Sequence, residues 1–461
     1  MAVPENPDDA TSKVIAFPVI RFATRTDASP ANPILTLGAG GPGNAEGLDA
    51  NPSYVWLYYA AMTRAAGRDL YVLDPRGVGL AQPAFRCPDI VEHTRNIVAQ
   101  RQTANQEVEN LLSSYRECRT LLDASGFDPS YYNSRVVAQD VESLRNALNI
   151  DKWVLYGYSY AARYALTIAR DFPDSVEAMV LGGPAFPGLP YTDLSAETYN
   201  NAFEIAYSWC EQAGSCFAAS MRSRLSSLVL KLDESPIVIT DFSTNIATEY
   251  SIDRYVLTGA RLIDVLFSAF YDSDFFPVFA DVISELEEGK TASFEEALKI
   301  WAEHYLDETF SDPILYSHYC AEEQPFVIYD LAFHEANSIR PYLKNPVLSY
   351  LHFSREICRI WRVKHAPSIE GELIETEIPT LFLQGALDPI TPSLYLKDQL
   401  RFFKNYTKIE FRDGSHWGPA TDYCAMKKAG QFIDGKRISS NFFWCRVEVA
   451  VIRLLSDLSG N

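Results

Sequence analysis

The sequence has no Cys-x-x-Cys pair, no His-Glu-x-x-His string and no phosphate-loop string. These absences argue against a zinc ribbon, a thioredoxin-type redox centre and a zinc peptidase, and no metal or organic cofactor is expected. Its apolar stretches fall well short of the roughly 18 residues that a membrane helix needs, so no membrane partner is expected either. Positive charge is scarce: 40 Lys and Arg stand against 60 Asp and Glu, a net charge of −20. A surface of that sign repels phosphate backbones, which argues against nucleic acid as a partner. Internal repeats, low-complexity tracts and long linkers are missing. The opening MAVPENPDDATSK has no apolar leader segment, which suggests a cytoplasmic protein or one whose leader has been removed.

What is present describes a globular protein. Of 461 residues, 47% are apolar and 22% charged, which excludes global disorder, collagen and coiled-coil architectures. The length suggests two or three structural units. Eight cysteines, with Cys210 and Cys216 close together, allow four disulfides and hence an oxidising, secreted or periplasmic setting. Eight free thiols would instead place the protein in the cytoplasm.

Two textures alternate along the chain. Up to about residue 190, short apolar runs ending in Gly, Asp or Pro read as strands: Val14–Ala23, Pro33–Leu37, Asp69–Asp74, Trp153–Gly157 and Glu177–Gly182. Helical patterns lie between them, notably Ser134–Leu148 and Tyr160–Asp171. Such alternation points to an α/β fold with a mostly parallel sheet and helices on both faces. From 191 to 370 helical periodicity dominates, in Ala196–Glu211, Tyr255–Tyr271, Val278–Glu288 and Phe294–His304, with Pro236–Thr240 as the best strand. This stretch reads as a helical cap. From 371 to 461 the first texture returns, with strands at Pro379–Gly385 and Thr407–Arg412 and helices at Thr421–Phe432 and Phe442–Leu455.

The strongest local pattern is WVLYGYSYAARYAL, residues 153–166: a strand, a turn carrying Ser159, then a helix. A nucleophile elbow has this layout, with small residues two before and two after the serine; Gly157 and Ala161 occupy those places. A serine that simply caps a packing helix would give the same string. The Gly-rich stretch PILTLGAGGPGNAEG, residues 33–47, follows an early strand. Acyl transfer needs donors aimed at the developing oxyanion. The backbone N–H of Tyr160 and one from Gly40 or Gly41 are the expected pair. The same loop spells a dinucleotide fingerprint, but Pro42 interrupts the turn and Asp74 lies too far downstream for a ribose contact.

A serine hydroxyl needs a base. Of seven histidines, His304, His318, His334 and His352 fall in the helical stretch, whereas His416 follows a late strand in the turn-rich RDGSHWGP. The orienting carboxylate should lie between serine and histidine in chain order. Asp388, in LFLQGALDPITP, fits, although an Asp-Pro pair also serves as a plain turn. The ordered triple Ser159, Asp388, His416 is far more specific than any one member. A non-catalytic binding protein on the same scaffold would be expected to lack one of them.

These residues resemble the α/β-hydrolases of the proline iminopeptidase and tripeptidyl aminopeptidase type, with a TAP-like C-terminal segment. AGGPG (39–43) resembles the family's GGPG loop. DPRGVGLAQP (74–83) resembles D-x-R-G-x-G-x-S-x-P, and GYSYAAR (157–163) resembles G-x-S-Y-G-T-R. GALDPITP and GSHWGP resemble the segments bearing the acid and the base. The resemblance implies an α/β-hydrolase core under a helical lid and hydrolysis of a peptide or small-molecule substrate through an acyl-enzyme. It also implies disulfides 87–118, 210–216, 320–358 and 424–445, and an acidic anchor for a substrate α-amine just after a cap cysteine, at Glu322 or Glu323. Ala39, Leu80-Ala81 and Ala161-Ala162 depart from the pattern, and Gly182-Gly183-Pro184 stands in place of an acidic ending. An esterase or amidase acting on uncharged substrates is the alternative, because the cap is rich in aromatic residues such as Tyr271, Tyr305 and Phe310. Oligomeric state is not encoded in any feature of the sequence.

Overall fold

The structure is a computed structural model and describes residues 1–24, 31–37, 40–48, 52–421, 423–436 and 438. Seven strands form its main sheet: β1 (Val19–Phe22), β2 (Ile34–Thr36), β3 (Leu70–Leu73), β4 (Trp153–Tyr158), β5 (Val176–Gly182), β6 (Thr380–Gly385) and β7 (Tyr406–Phe411). Their order is β7-β6-β5-β4-β2-β3-β1, parallel throughout except for β1 against β3. Each of the parallel strands was expected, to within a residue or two at the ends. The run Val14–Ala23 divides instead. Val14–Ala16 pairs with Ala2–Pro4, and β1 starts after Pro18, which has no N–H to give to a ladder.

β4 is buried along its whole length, and its alternating side chains feed two cores. Trp153 and Leu155 pack with Val137, Val141, Ala165 and Leu166, from helices Ser134–Ala147 and Tyr160–Asp171. Val154 and Tyr156 pack on the other face with Tyr59, Met62 and Ala425. Burial of each such side chain stabilises by roughly 1.5–3 kcal/mol. This double cover holds the carboxyl ends of β4, β5, β6 and β7 side by side, and Ser159, Asp388 and His416 follow the ends of β4, β6 and β7.

Over the sheet lies a largely helical cap, running from helix Ser195–Gln212 to helix Pro341–Trp361. Its largest cluster gathers Phe203, Tyr207, Leu266, Phe270, Phe276, Phe279 and Phe294. Two differences from the sequence reading appear here. Tyr255–Tyr271 is not one helix: Tyr255–Leu257 is a strand paired with Ile237–Ile239, and Thr258 then caps helix Gly259–Ala269 through the Arg261 N–H. Secondly, helix Ala104–Ser125, from the first part of the chain, joins the roof. Its Leu112, Tyr115 and Cys118 share a cluster with Ile314, Ile357 and Trp361 of the cap.

Disulfides join Cys87 to Cys118, Cys210 to Cys216 and Cys320 to Cys358, as the resemblance implied. The first ties the roof helix to the loop after β3; the third ties helix Asp312–Glu322 to helix Pro341–Trp361. The expected partner of Cys424 in the fourth pair, Cys445, lies outside the described residues, as does the expected helix Phe442–Leu455. Among the described residues no helix is long and apolar enough to cross a membrane.

Candidate active site

Ser159 follows β4 directly, with φ 53° and ψ −120°. A non-glycine residue held there stores strain of about 1–3 kcal/mol. The turn is tight because strand and helix nearly touch: a Cβ on Gly157 would lie 2.5 Å from the Ala161 carbonyl oxygen. Although Ser159 occupies the cap position of helix Tyr160–Asp171, its side chain makes no cap hydrogen bond. Its Oγ lies instead 3.0 Å from His416 Nε2. His416, 1% exposed, comes from the loop after β7. Its Nδ1 lies 2.9 Å from Asp388 Oδ2, on the loop after β6. An ionised carboxylate only accepts, so Nδ1 carries the proton and Nε2 is free to accept from Ser159. The three expected residues thus meet in a single hydrogen-bonded chain.

Asp388 combines its two expected roles, one per oxygen. Oδ1 accepts from the N–H groups of Ile390 and Thr391, closing the Asp-Pro turn. Oδ2 accepts from His416 and from Thr391 Oγ1 at 2.8 Å. Burial pushes this carboxyl up, but His416 and the Thr391 donors outweigh burial and hold it below the usual carboxylate range. Sequence reasoning missed Thr391, whose hydroxyl touches Asp388, the Gly183 carbonyl and, at 3.3 Å, His416 Nδ1. It also missed Gln384, which braces the same loop through the Thr391 carbonyl. Both stand within LFLQGALDPITP, and a hydroxyl three residues after an aspartate was the available signal. Gly183, at φ +44°, gives the ring its space: a Cβ there would lie 3.1 Å from Asp388 Oδ2 and 3.3 Å from His416 Nδ1.

The glycine loop approaches the same serine. A Cβ on Gly40 would sit 2.7 Å from Ser159 Cβ, and Gly40 and Gly41 both have positive φ (+106° and +64°). Asn44 Nδ2 donates to the Gly40 carbonyl. From the cap, Phe310 lies against Gly41 and Gly43, and Ser311 N–H donates to the Gly43 carbonyl. Gly38 and Ala39 lie outside the described residues. Tyr160 opens the helix on the other side of Ser159, where the first N–H groups have no intrahelical partner. The DPRG stretch serves as scaffold. Asp74 accepts from Glu46 N and Leu80 N, while buried Arg76 makes a bidentate pair with Asp140.

Aromatic groups of the cap surround the site. The Tyr271 ring stands 5.2 Å from that of His416 and 5.0 Å from that of His304. Burial, with His416 nearby, pushes His304 down to about 4, so it is neutral at neutral pH. Tyr305 is 57% exposed and stacks on Trp301, 5.3 Å between ring centroids. Of the other cap aromatics, Phe275 and Phe276 are core.

Glu322 is buried: its Oε1 accepts from Ser134 N, Ser134 Oγ and Tyr160 OH, and its Oε2 lies 3.4 Å from Arg163 Nε. Glu323 is half-buried; its Oε1 accepts from Thr192 N and Oγ1, and burial raises its carboxyl. A third acid, Asp264 on helix Gly259–Ala269, accepts from Tyr199 OH at 3.3 Å. Burial first, then Glu107, push its carboxyl up to about 7, against the pull of Tyr199 and Arg261. Its folded value lies above the unfolded ~3.9, so stability is lost as pH rises from about 4 through 7. Asp264→Asn cannot ionise and is expected to be more stable than wild type at pH 8, by up to a few kcal/mol. The gain in melting temperature should shrink towards pH 4; an equal gain at both values would contradict the assignment.

A family model for the alpha/beta hydrolase fold matches residues 39–423. The chain is 25% identical over 428 residues to serine protease Hip1 of Mycobacterium tuberculosis (strain ATCC 25618 / H37Rv), covering 87% of this chain and 78% of that one. It is also 25% identical over 213 residues to the putative hydrolase YuaR of Escherichia coli (strain K12), covering 43% and 39%. Among solved structures, a proline iminopeptidase of Mycobacterium smegmatis aligns with a TM-score of 0.41 and 11% identity, over 94% of this chain and 97% of that one.

Proposed function

This chain belongs to the alpha/beta hydrolase fold family and is a hydrolase, and from that premise we propose that it works as a serine peptidase releasing residues from peptide N-termini. The observation that carries the proposal is the chain Ser159 Oγ, His416 Nε2, His416 Nδ1, Asp388 Oδ2, set behind a strained elbow. His416 takes the Ser159 proton as the hydroxyl attacks the substrate carbonyl. Asp388 keeps the imidazole in the required tautomer and stabilises its charge. The N–H groups of Tyr160 and of Gly40 or Gly41 receive the oxyanion. His416 then protonates the leaving amine, and water repeats the cycle on the acyl-enzyme.

The aminopeptidase reading needs a carboxylate for the substrate ammonium. Of the two acids after Cys320, Glu323 suits that role better: Thr192 takes only one of its oxygens. The three disulfides support a setting outside the cytoplasm. A second reading, an esterase or amidase, draws on the cap aromatics beside the site, Tyr271 against His416 and Phe310 against the glycine loop. Turnover of an aminoacyl p-nitroanilide, its N-acetylated form and a p-nitrophenyl ester separates the two. We expect acetylation of the amine to lower kcat/KM by about a hundredfold, in the range for an unpaired buried charge. Equal rates with free and blocked amines would eliminate the aminopeptidase reading.

A further inference from the structure

The side chain of Tyr160 does not stand free beside the nucleophile. Its hydroxyl donates to Glu322 Oε1 at 2.9 Å, and its ring lies edge-on to Tyr164 and His318. Glu322 is the last residue of helix Asp312–Glu322, in the cap, and is only 2% exposed. The same oxygen receives Ser134 Oγ at 2.9 Å and Ser134 N at 3.1 Å, at the start of a core helix. Three donors around one carboxylate oxygen leave it no room for a substrate ammonium. On the other side, Arg163 of the nucleophile helix lies 3.4 Å from Glu322 Oε2 and donates to the Glu322 carbonyl at 3.1 Å.

The acid is itself held. Arg163 Nη2 lies 3.8 Å from Glu370 Oε2, and Arg170 Nη2 reaches Glu370 Oε1 at 2.5 Å. Two buried carboxylates and two guanidiniums therefore balance across three segments: the nucleophile helix, the cap and the stretch leading back to the core. Two residues before Glu322, Cys320 is bonded to Cys358. His318 of the same helix is fixed between Tyr164 OH and the Ile314 carbonyl. A buried, charged acceptor on a pinned helix is a firm fixing point for a hydroxyl.

We propose that Glu322 is a positioning residue for the oxyanion site: from the cap it holds the Tyr160 side chain, and through it the main-chain N–H beside Ser159. The proposal rests on the reading of Ser159 as nucleophile. An oxyanion donor acts only within a few tenths of an ångström of its place, and a displacement of about 1 Å costs up to about a hundredfold in rate. Completion of the site then depends on the cap being seated, because the residue that fixes Tyr160 arrives with the cap.

The test compares Tyr160→Phe, Glu322→Gln and Glu322→Ala in the full chain. Turnover is measured on the free-amine anilide and on the p-nitrophenyl ester, with a peptide boronic acid as the mimic of the tetrahedral oxyanion. For Tyr160→Phe we expect kcat to fall by about ten- to a hundredfold on both substrates, with KM changed less than twofold. Boronate affinity should fall by the same factor and the melting temperature by only a few degrees. Glu322→Gln, whose amide oxygen still accepts, should retain more activity than Glu322→Ala. Unchanged kcat and boronate affinity in Tyr160→Phe would overturn the proposal. So would a loss in the Glu322 variants confined to KM for the free-amine substrate, which would make Glu322 an amine anchor. If the wild type forms no fluorophosphonate adduct at Ser159, the underlying reading fails first and takes the proposal with it.

Discussion

A chain carrying Ser159→Ala is expected to lose turnover by about six orders of magnitude, the scale seen when a triad serine is removed from other serine peptidases. The loss is large because nothing else in the site replaces the nucleophile: His416 Nε2 would face a methyl group instead of the hydroxyl now 3.0 Å away. The fold should persist. Ser159 is half-buried, its side chain caps nothing, and the backbone bonds of the turn remain, from Ser159 N to the Gly182 carbonyl and from Ala185 N to the Ser159 carbonyl. Melting temperature should therefore move by a few degrees at most. Intact mass after fluorophosphonate treatment provides the check: wild type gains one adduct and the variant none. An adduct that survives the substitution would place the nucleophile elsewhere and end the case for the triad.

How far the sequence revealed this site depended on whether a residue acts through its local string. Ser159 and Asp388 were legible because each follows a short apolar run that ends abruptly, and runs buried on both faces mark parallel strands. The strand before His416 is partly exposed, and His416 was legible from the turn-rich loop that follows it. Chain order then did the rest. Gly40 and Gly41 were legible as part of a glycine-rich loop after an early strand: both have positive φ, and Gly40 lies against Ser159. Glu322 was found by its place after Cys320, but its work was not, because its partners Ser134, Tyr160 and Arg163 lie 159 to 188 residues earlier in the chain. Spacing says nothing about contacts that only a folded cap creates. Tyr255–Tyr271 misled for a related reason. The apolar Tyr255–Leu257 fits a helical stripe as well as a strand, and pairing with Ile237–Ile239 decides between them. The roof contributed by helix Ala104–Ser125 escaped notice because its contacts with the cap are equally remote in sequence.

Asp388→Asn is expected to cost about 10⁴-fold in kcat near neutral pH, for a reason that concerns one proton. The amide can turn its NH₂ towards His416 Nδ1. That nitrogen then becomes the acceptor, the proton moves to Nε2, and the ring meets Ser159 with a donor where a base is needed. Geometry alone would hardly change, since Thr391 and Ile390 still hold the Oδ1 position. A neutral side chain also leaves the imidazolium formed during attack without its counter-charge. Thr391→Val is the informative companion. It removes one donor to Asp388 Oδ2 but keeps the carboxylate, so kcat should fall about tenfold, the worth of a single such hydrogen bond. Stability should respond to pH with a definite sign. The Asp388 carboxyl is held below its unfolded value, so it stabilises the fold above pH ~4 and loses that contribution as pH falls through its folded value. The melting temperature of Asp388→Asn should therefore trail wild type at pH 7, and the gap should narrow at pH 3. A variant that keeps near-normal kcat at neutral pH would show that His416 finds its tautomer without this carboxylate. The chain from Asp388 to Ser159 would then be a packing arrangement with no part in the chemistry.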